Sequence, residues 1–223
     1  MMKEIKAFIF DLDGVITDTA KYHYKAWRRM ANELGFDFTE EENEQLKGVG
    51  RMESLEKILQ WGGITLPEEE KKRLADQKNQ WYLEYIQDIS PNDLLPGARE
   101  FLLATRDAGI KSALGSASKN AIPIVEKLGV LHFFDALIDG NKAPKSKPDP
   151  QVFLLGAEAL NAKPEECIVF EDSLAGIQAA KNGGMHTVGI GYMLPPDVAD
   201  FHAGSLEFLT PSIVITEVLK HST

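Results

Sequence analysis

Positive charge is scarce in this sequence of 223 residues, in which 24 Lys and Arg stand against 34 Asp and Glu, a formal charge of −10 at pH 7. Proteins that hold nucleic acids or anionic membranes need clustered excess Lys and Arg, because their attraction to phosphates is electrostatic. We therefore expect neither a nucleic-acid partner nor a membrane partner. A small phosphorylated molecule stays compatible with this charge, since a local pocket or a bound metal can hold it.

Cysteine and long apolar segments are scarce as well. Cys167 is the only cysteine, so no disulfide forms within the chain, and its place in the apolar stretch CIVF indicates a buried strand thiol rather than a nucleophile. No apolar run approaches the roughly 20 residues that span a bilayer, and Asp11 interrupts the first apolar stretch too early for a signal peptide. We expect a monomeric globular protein of the cytoplasm.

Short apolar runs alternate with helical patterns along most of the chain. The apolar runs cover 5–10, 110–115, 135–139, 167–170 and 186–190, and the helical patterns cover 97–108, 119–129, 150–161, 174–182 and 211–221. This alternation predicts βαβ units, and hence an α/β core with a doubly wound, Rossmann-like parallel sheet.

Residues 18–92 break this alternation, because they contain helical patterns and no convincing strand. Thr39 and Glu42 have the spacing of a capping box. Pro67 precedes three glutamates, which favour the first turn of a helix and are expected to be solvated there. We interpret this stretch as an all-helical cap domain inserted into a core made of residues 1–17 and 93–223.

Polar side chains follow several predicted strands at their carboxyl ends, where ligands bind in open parallel sheets. They are Asp11 and Asp13 after the first strand, Ser116 after the second, and Glu171 and Asp172 after the strand at 167–170. Four carboxylates at one mouth repel one another unless a cation lies among them, and hard oxygen ligands favour Mg²⁺. With Ser116 and Lys147 as partners for a phosphate, the pattern favours metal-assisted phosphoryl transfer.

Each of these features also has a simple structural explanation when it is taken alone. Asp followed by Gly after a strand is common in turns, and Glu171, Asp172 and Ser173 would suit the cap of the following helix. Ser116 and Lys147 would fit ordinary structural roles. Their occurrence in this order at successive strand ends favours a single site.

The arrangement resembles the four motifs of the haloacid dehalogenase superfamily, in the same order. The matching residues are DLDGV at 11–15, Ser116 in LGSAS, Lys147 in KSKPD, and Glu171 with Asp172. Together with the cap insertion, the resemblance covers essentially the whole chain.

This resemblance implies a role for each of the carboxylates. Asp11 would be the nucleophile that forms an aspartyl phosphate, and Asp13 the general acid and base. One Mg²⁺ ion would be held by the Asp11 carboxylate, the backbone carbonyl of Asp13, Glu171 and Asp172.

Three cap residues are candidates for contacts to a substrate. His23 and Trp27 are four residues apart and share a helix face, and Lys78 lies on a long cap helix. Alone, Trp27 would suit core packing, Lys78 a solvated surface, and His23 either the core or a site.

A second anion site is indicated by the segment SASKN. Ser118, Lys119 and Asn120 follow Ser116 and Ala117 at a predicted helix N-terminus, which favours anions, although Ser118 would also serve simply to cap that helix. The cap contributes Lys47, Gly48, Arg51 and Ser54 to the opposite side. Two phosphates held at once are needed by an enzyme that moves a phosphate between two positions of a bisphosphate, and not by a simple phosphatase.

Within the superfamily the chain resembles the sugar-phosphate mutases, on the segments DLDGVITDTAKYH, EQLKGVGR, SPNDLLPG, GSASKN, SKPDP and EDSLAGIQAAK. The resemblance implies interconversion of β-glucose 1-phosphate and glucose 6-phosphate through β-glucose 1,6-bisphosphate. Thr19 would then be the hinge residue that sets Asp13, and His23 with Lys78 would support the sugar hydroxyls and cap closure. Arg51 and residues 118–120 would hold the phosphate that is not transferred.

Two departures and two alternatives accompany this interpretation. Gly50 stands where many relatives have a larger polar residue, and the loop 139–146 is rich in Lys and Pro. A sugar-phosphate phosphatase of the same superfamily would share the core. A non-enzymatic phospho-aspartate signalling module would also use Asp, Mg²⁺, Ser or Thr and Lys, but it has no need of the helical insert or of Asp13.

Overall fold

The computed structural model describes residues 4–220, and a six-stranded sheet lies at its centre. The strands are β1 (Ala7–Phe10), β2 (Lys111–Gly115), β3 (Ala136–Ile138), β4 (Cys167–Glu171), β5 (His186–Ile190) and β6 (Phe201–Ala203). Their order is β3-β2-β1-β4-β5-β6, and each neighbouring pair is parallel. The predicted doubly wound parallel sheet is confirmed, and β6 is an additional strand that the sequence reasoning missed.

Helices cover both faces of the sheet. The core helices are α5 (Ala98–Asp107), α6 (Ala121–Lys127), α7 (Gln151–Ala159), α8 (Leu174–Asn182) and α9 (Pro211–Lys220). These positions agree with the predicted helical patterns to within a few residues. The last residue of the final pattern, His221, lies outside the described residues.

The helices that precede α5 form a separate layer over one end of the sheet. They are α1 (Ala20–Glu33), α2 (Glu40–Glu44), α3 (Arg51–Trp61) and α4 (Glu68–Tyr85), and we call them the cap. The predicted capping box is present, since Thr39 Oγ1 accepts from the Glu42 amide and the Glu42 carboxylate accepts from the Thr39 amide. The buried faces of α1 and α3 pack against α4.

The two chain segments that join the cap to the core lie side by side. The Thr17 hydroxyl donates to the carbonyl oxygen of Asp93 at 2.7 Å, and the Leu95 amide donates to the carbonyl oxygen of Ile16 at 2.9 Å. This pairing makes the two segments one short hinge, with the first cap helix starting directly after it.

Alternation along β1 divides the core between the two faces of the sheet. Phe8 and Phe10 point to one face, where Phe10 stacks on Phe170 with ring centroids 4.7 Å apart and Phe101 of α5 packs on both β1 rings. Ile9 points to the other face, into the cluster formed with α7 and α8. Since β1 is packed on both faces, it holds the residues that follow it firmly in place.

Cys167 lies in β4 and is fully buried, as predicted. Burial raises the pKa of its thiol to about 12, which suits packing and not nucleophilic chemistry. Among the described residues, no helix combines the length and apolar composition that crossing a bilayer requires.

Candidate active site

Register places the ends of β1, β2 and β4 at one edge of the sheet. Phe10 lies opposite Leu114 on one side and Phe170 on the other. The chain proceeds from β1 toward β3 in one direction and then continues with β4 on the other side of β1. Such a reversal opens a crevice at the carboxyl ends of the strands, and the polar residues predicted from the sequence lie there.

Lys147 joins two of these carboxylates. Its Nζ donates to Asp11 Oδ1 and to Glu171 Oε1, each at 2.6 Å, and its side chain is fully buried. Although burial favours the neutral amine, the two carboxylates hold the pKa of Lys147 above its usual value. Burial raises the pKa of Asp11 well above its ordinary value. One ammonium therefore faces two buried carboxylates, and the cluster carries an excess of negative charge.

Asp13 lies two residues beyond Asp11 and is held by the hinge. Its Oδ1 accepts hydrogen bonds from the Thr19 amide at 3.1 Å and from the Thr19 hydroxyl. Thr19 Oγ1 also accepts from the hydroxyl of Tyr82, on α4, at 3.1 Å. Burial raises the pKa of Asp13, against the opposing effect of the Thr19 hydrogen bonds. A raised pKa favours the protonated form that a general acid needs.

Glu171 and Asp172 have different surroundings although they are adjacent. Glu171 is fully buried, and its Oε2 accepts from the amide and the hydroxyl of Ser173 at 2.7 and 2.8 Å. Asp172 accepts at Oδ2 from Lys47 of the cap at 3.0 Å. Burial and the neighbouring Glu171 raise the pKa of Asp172 to about 7. The cap of α8 is made by Ser173 alone, whose Oγ accepts from the Gly176 amide.

The segment that follows β2 forms a chain of hydrogen bonds. Ser116 is buried, and its Oγ accepts from the Ser118 amide at 3.1 Å. Ser118 Oγ in turn accepts from the Asn120 amide at 3.2 Å, directly before α6. The loop thus turns several polar groups toward the cap, and Lys119 at its apex is exposed.

The cap side of the site is built around Lys78. Its Nζ lies 2.7 Å from His23 Nδ1 and 4.3 Å from the centre of the Trp27 ring, and only 2% of the residue is exposed. The solvated position that was one alternative for Lys78 is therefore wrong. The His23 ring stacks on Tyr82 with centroids 3.9 Å apart. Burial lowers the pKa of both His23 and Lys78 well below their ordinary values.

The cap lies closely against the core. Besides the Lys47–Asp172 pair, the Gly50 amide donates to Ser146 Oγ at 2.9 Å. Gly48 has a φ of +75° and lies so near Lys147 that a Cβ would be 3.1 Å from its Cδ. Gly50 and the loop 139–146, the two places where the sequence departs from its relatives, are therefore in contact, since Gly50 bonds to the last residue of the loop.

A cleft lies between cap and core, with a volume of about 830 Å³ of which a part is open to solvent. The predicted site residues that line it are Asp11, Asp13, His23, Trp27, Lys47, Gly48, Arg51, Ser54, Lys78, Ser116, Ala117, Ser118, Lys119, Asn120 and Asp172. Thr19, Lys147 and Glu171 lie behind this wall, where Thr19 is bonded to Asp13, and Lys147 to both Asp11 and Glu171.

Sequence reasoning missed two residues of α4 that organise the site. Tyr82 lies four positions after Lys78, a spacing that puts both on one helix face, so a helical projection would have found it. Asn79, which bonds to Arg51 and to Asn120, has no sequence signal of this kind.

The donor set suits a hard divalent cation such as Mg²⁺. Among residues 4–220, no three or more His, Cys, Asp and Glu side chains are grouped to hold a metal. A lysine donates to one oxygen of each of Asp11, Glu171 and Asp172. An ionised carboxylate has about four acceptor sites on its two oxygens, so a bond to one lysine leaves room for a further ligand on Asp11 and on Asp172. Anionic oxygens with excess negative charge are the donors that Mg²⁺ prefers. The ligand set that includes Glu171 and the Asp13 carbonyl stays a prediction.

Known proteins resemble this chain over nearly its full length. The model of a haloacid dehalogenase-like hydrolase family matches residues 5–184. The β-phosphoglucomutase of Bacillus subtilis strain 168 is 41% identical over 215 residues, which cover 96% of this chain and 95% of that protein. The phosphorylated carbohydrates phosphatase of Thermotoga maritima is 32% identical over 220 residues, 97% of this chain and 99% of that protein.

A solved structure shows the same similarity in three dimensions. The crystal structure of β-phosphoglucomutase from Clostridium difficile matches with a TM-score of 0.94 at 43% identity, and the match covers 98% of this chain and 99% of that one.

Proposed function

The chain belongs to the haloacid dehalogenase-like hydrolase family, and from this membership and the geometry of its cleft we propose that it is a phosphosugar mutase. It interconverts β-D-glucose 1-phosphate and D-glucose 6-phosphate through an aspartyl phosphate and β-glucose 1,6-bisphosphate. The observation that carries this proposal is that Asp11 and Arg51 line one cleft between cap and core. Such a cleft has a place for a transferring phosphate at the strand ends and for a second phosphate beneath the cap.

Asp11 is the nucleophile of this reaction. Lys147 holds its Oδ1, so the other carboxylate oxygen is available to attack phosphorus. A bond forms between that oxygen and phosphorus, and the bond from phosphorus to the sugar oxygen breaks. The positive charge of Lys147 offsets the repulsion between carboxylate and phosphate, which is the main obstacle to this step.

Asp13 is the general acid and base. In its protonated form it donates a proton to the departing sugar oxygen, and as a carboxylate it later removes a proton from the sugar hydroxyl that accepts the phosphoryl group. Its raised pKa favours the first role. Thr19 holds Asp13 against the hinge, so a change in the cap position changes the position of this carboxyl.

His23, Trp27 and Lys78 bind the sugar. The Trp27 ring and the His23–Lys78 pair line the cap side of the cleft. An aromatic ring gives an apolar wall for the sugar, and the imidazole and amine offer hydrogen bonds to its hydroxyls. The bound sugar reverses its orientation between the two half-reactions, while the two phosphate sites stay in place. Either end of the sugar can therefore accept a phosphate.

One Mg²⁺ ion is the cofactor of this proposal. Asp11, the carbonyl of Asp13, Glu171 and Asp172 would hold it. When it is bound, Mg²⁺ supplies positive charge to the phosphoryl oxygens.

A phosphatase is the second candidate, because the Thermotoga maritima relative has that name. The two activities differ in whether water or a sugar hydroxyl accepts the phosphoryl group. Contacts that hold the cap against the core exclude water, and here they include Lys47–Asp172 and Gly50–Ser146. These contacts favour the mutase. A phospho-aspartate signalling module has no use for a cleft of this kind.

One assay tests the proposal directly. The protein is incubated with Mg²⁺, β-glucose 1-phosphate and a trace of β-glucose 1,6-bisphosphate, while glucose 6-phosphate and free phosphate are followed together. We expect glucose 6-phosphate to form much faster than free phosphate. Free phosphate formed without isomerisation would overturn the mutase in favour of the phosphatase. A monomeric state and a cytoplasmic location stay predictions from the sequence.

A further inference from the structure

Asn79 connects the cap to the core through a single oxygen atom. Its Oδ1 accepts a hydrogen bond from Arg51 Nη2 at 2.8 Å and another from Asn120 Nδ2 at 2.9 Å. Arg51 begins α3 and Asn79 lies on α4, both in the cap, whereas Asn120 precedes α6 of the core. Arg51 and Asn120 line the cleft, and Asn79 lies behind them.

Arg51 is a half-buried cation without a carboxylate partner. Among the described residues, no acidic oxygen lies within 4.0 Å of its guanidinium, although Asp76 acts on it through space. Burial lowers the pKa of Arg51. Of the other cations in or behind the wall of this cleft, Lys47 and Lys147 are paired with acids. Lys78 lies against His23, and Lys119 is exposed. The guanidinium has five donors, so the bond to Asn79 leaves most of them free for a ligand.

A neutral amide is the partner that preserves this charge. A carboxylate at position 79 would accept the same two hydrogen bonds but would neutralise Arg51 and repel an anion. An apolar residue there would leave Arg51 and Asn120 free to move apart. Only a neutral acceptor both aligns the two donors and leaves the site positive.

We propose that Asn79 is the positioning residue that assembles the second phosphate site from the cap and the core, and that its neutrality is what keeps this site selective for a doubly phosphorylated sugar. This inference rests on the proposed function and deepens it. Asn79 acts through Arg51 and Asn120 and does not touch the reacting atoms.

The hydrogen-bond chain of the core loop extends this assembly to the first phosphate site. Ser116 accepts from the Ser118 amide, Ser118 accepts from the Asn120 amide, and Asn120 donates to Asn79. Arg51 completes the chain from the cap. The chain therefore connects both phosphate sites, and Asn79 is the member of it that crosses between the cap and the core.

Two substitutions separate the two parts of the inference. Asn79→Ala removes the acceptor without adding charge, and Asn79→Asp keeps the acceptor and adds a negative charge. Gln80→Ala, at the next and exposed position of α4, is the matched control. Circular dichroism and thermal melting establish that each variant is folded.

Calorimetry of β-glucose 1,6-bisphosphate and of glucose 6-phosphate, with the full chain, Mg²⁺ and Asp11→Asn in the parent and in every variant, measures binding without phosphoryl transfer. We expect Asn79→Asp to weaken bisphosphate binding at least about tenfold, and Asn79→Ala to weaken it about threefold, with glucose 6-phosphate less affected in both. In the mutase assay the same variants should raise KM for the bisphosphate more than they lower kcat. Gln80→Ala should match the parent chain in both measurements.

The outcomes distinguish this inference from the proposed function. If the parent chain isomerises and the Asn79 variants bind the bisphosphate as it does, the inference about Asn79 is overturned and the mutase stands. Equal losses in Asn79→Ala and Asn79→Asp would overturn the requirement for a neutral residue. If the parent chain releases only free phosphate, the mutase is overturned, and unchanged glucose 6-phosphate binding in Asn79→Asp would then overturn the role of Asn79 as well.

Discussion

The hydroxyl of Tyr82 donates a hydrogen bond to Thr19 Oγ1 at 3.1 Å, deep between the cap helix α4 and the hinge. Thr19 uses its own hydroxyl proton to bond to Asp13. The cap therefore reaches the proposed acid and base through one intermediate residue. Because Tyr82 is fully buried, no water replaces its hydroxyl readily.

Tyr82→Phe is expected to lower kcat about twofold to tenfold, because one intramolecular hydrogen bond contributes about 0.5–1.5 kcal/mol. The buried ring would stay in place, so KM should change little. Steady-state kinetics of the mutase reaction measure the effect. Tyr192→Phe removes a hydroxyl from a side chain that is 90% exposed and serves as the control. A kcat that is equal in the two variants would contradict the positioning role of Tyr82.

Asp11→Asn is expected to abolish both the phosphoenzyme and turnover. An amide oxygen is a far weaker nucleophile than a carboxylate, so no bond to phosphorus forms. Mass spectrometry of the protein after incubation with a phosphodonor detects or excludes the aspartyl phosphate. Asp18→Asn, at an exposed acid nearby, should retain both. A phosphorylated and active Asp11→Asn variant would falsify the assignment of the nucleophile.

Lys78→Met is expected to stabilise the protein while it impairs sugar binding. Burial lowers the pKa of Lys78 well below its ordinary value of 10.5, so between the lowered value and 10.5 the unfolded chain binds more protons than the folded protein. In that range Lys78 makes the free energy of unfolding rise with pH, by at most about 1.4 kcal/mol per pH unit. In Lys78→Met the free energy of unfolding should no longer show this rise with pH.

Urea unfolding of Lys78→Met at several pH values between 7 and 10 measures this effect. The exposed Lys72 lies on the same helix, and Lys72→Met should keep the pH dependence of the parent chain. If the pH dependence of Lys78→Met equals that of Lys72→Met, Lys78 is not the source of the stability change.

Gly14→Ala is expected to destabilise the protein and to weaken Mg²⁺ binding. Gly14 has a φ of +79°, and a Cβ there would lie 2.2 Å from Asp172 Oδ2, so Asp172 would have to move. Gly35 has a φ of +91° with open space around it, and Gly35→Ala therefore isolates the backbone strain from the collision. Each variant is measured by thermal melting and by calorimetric titration with Mg²⁺.

Gly35→Ala should lose about 1 kcal/mol of stability and no Mg²⁺ affinity. Gly14→Ala should lose more stability than Gly35→Ala and a large part of its Mg²⁺ affinity. Unchanged Mg²⁺ affinity in Gly14→Ala would count against Asp172 as a metal ligand.

Much of the fold was accessible from the sequence, because strongly apolar runs such as β1 and β4 are buried on both faces and stand out from the amphipathic helices between them. The strand β6 was not accessible in this way. It has three residues and is only partly buried, so it lacks both a long apolar run and a clear alternation. Its pairing with β5 makes this segment a strand, although its own sequence does not predict one.

The candidate site divides in a similar way. Asp11, Asp13, Ser116, Lys147, Glu171 and Asp172 were predicted because each lies at a strand end, where the chain direction alone brings side chains to one edge of the sheet. The partners that pair these groups depend on how segments far apart in the chain pack against one another. Lys147 between two carboxylates, Lys47 on Asp172 and Lys78 against His23 are all contacts of this kind.

The shortage of positive charge also separates what the sequence determines from what the tertiary structure determines. Composition alone excluded a surface for polyanions, since a net charge of −10 repels them at long range. Composition did not determine where the few cations lie, because ion pairs form between residues far apart in the chain. Only the tertiary structure decided that Lys47 and Lys147 are neutralised by acids while Arg51 is held by the neutral oxygen of Asn79. The reason is physical: the charge that a buried cation offers to a ligand depends on its neighbours in space.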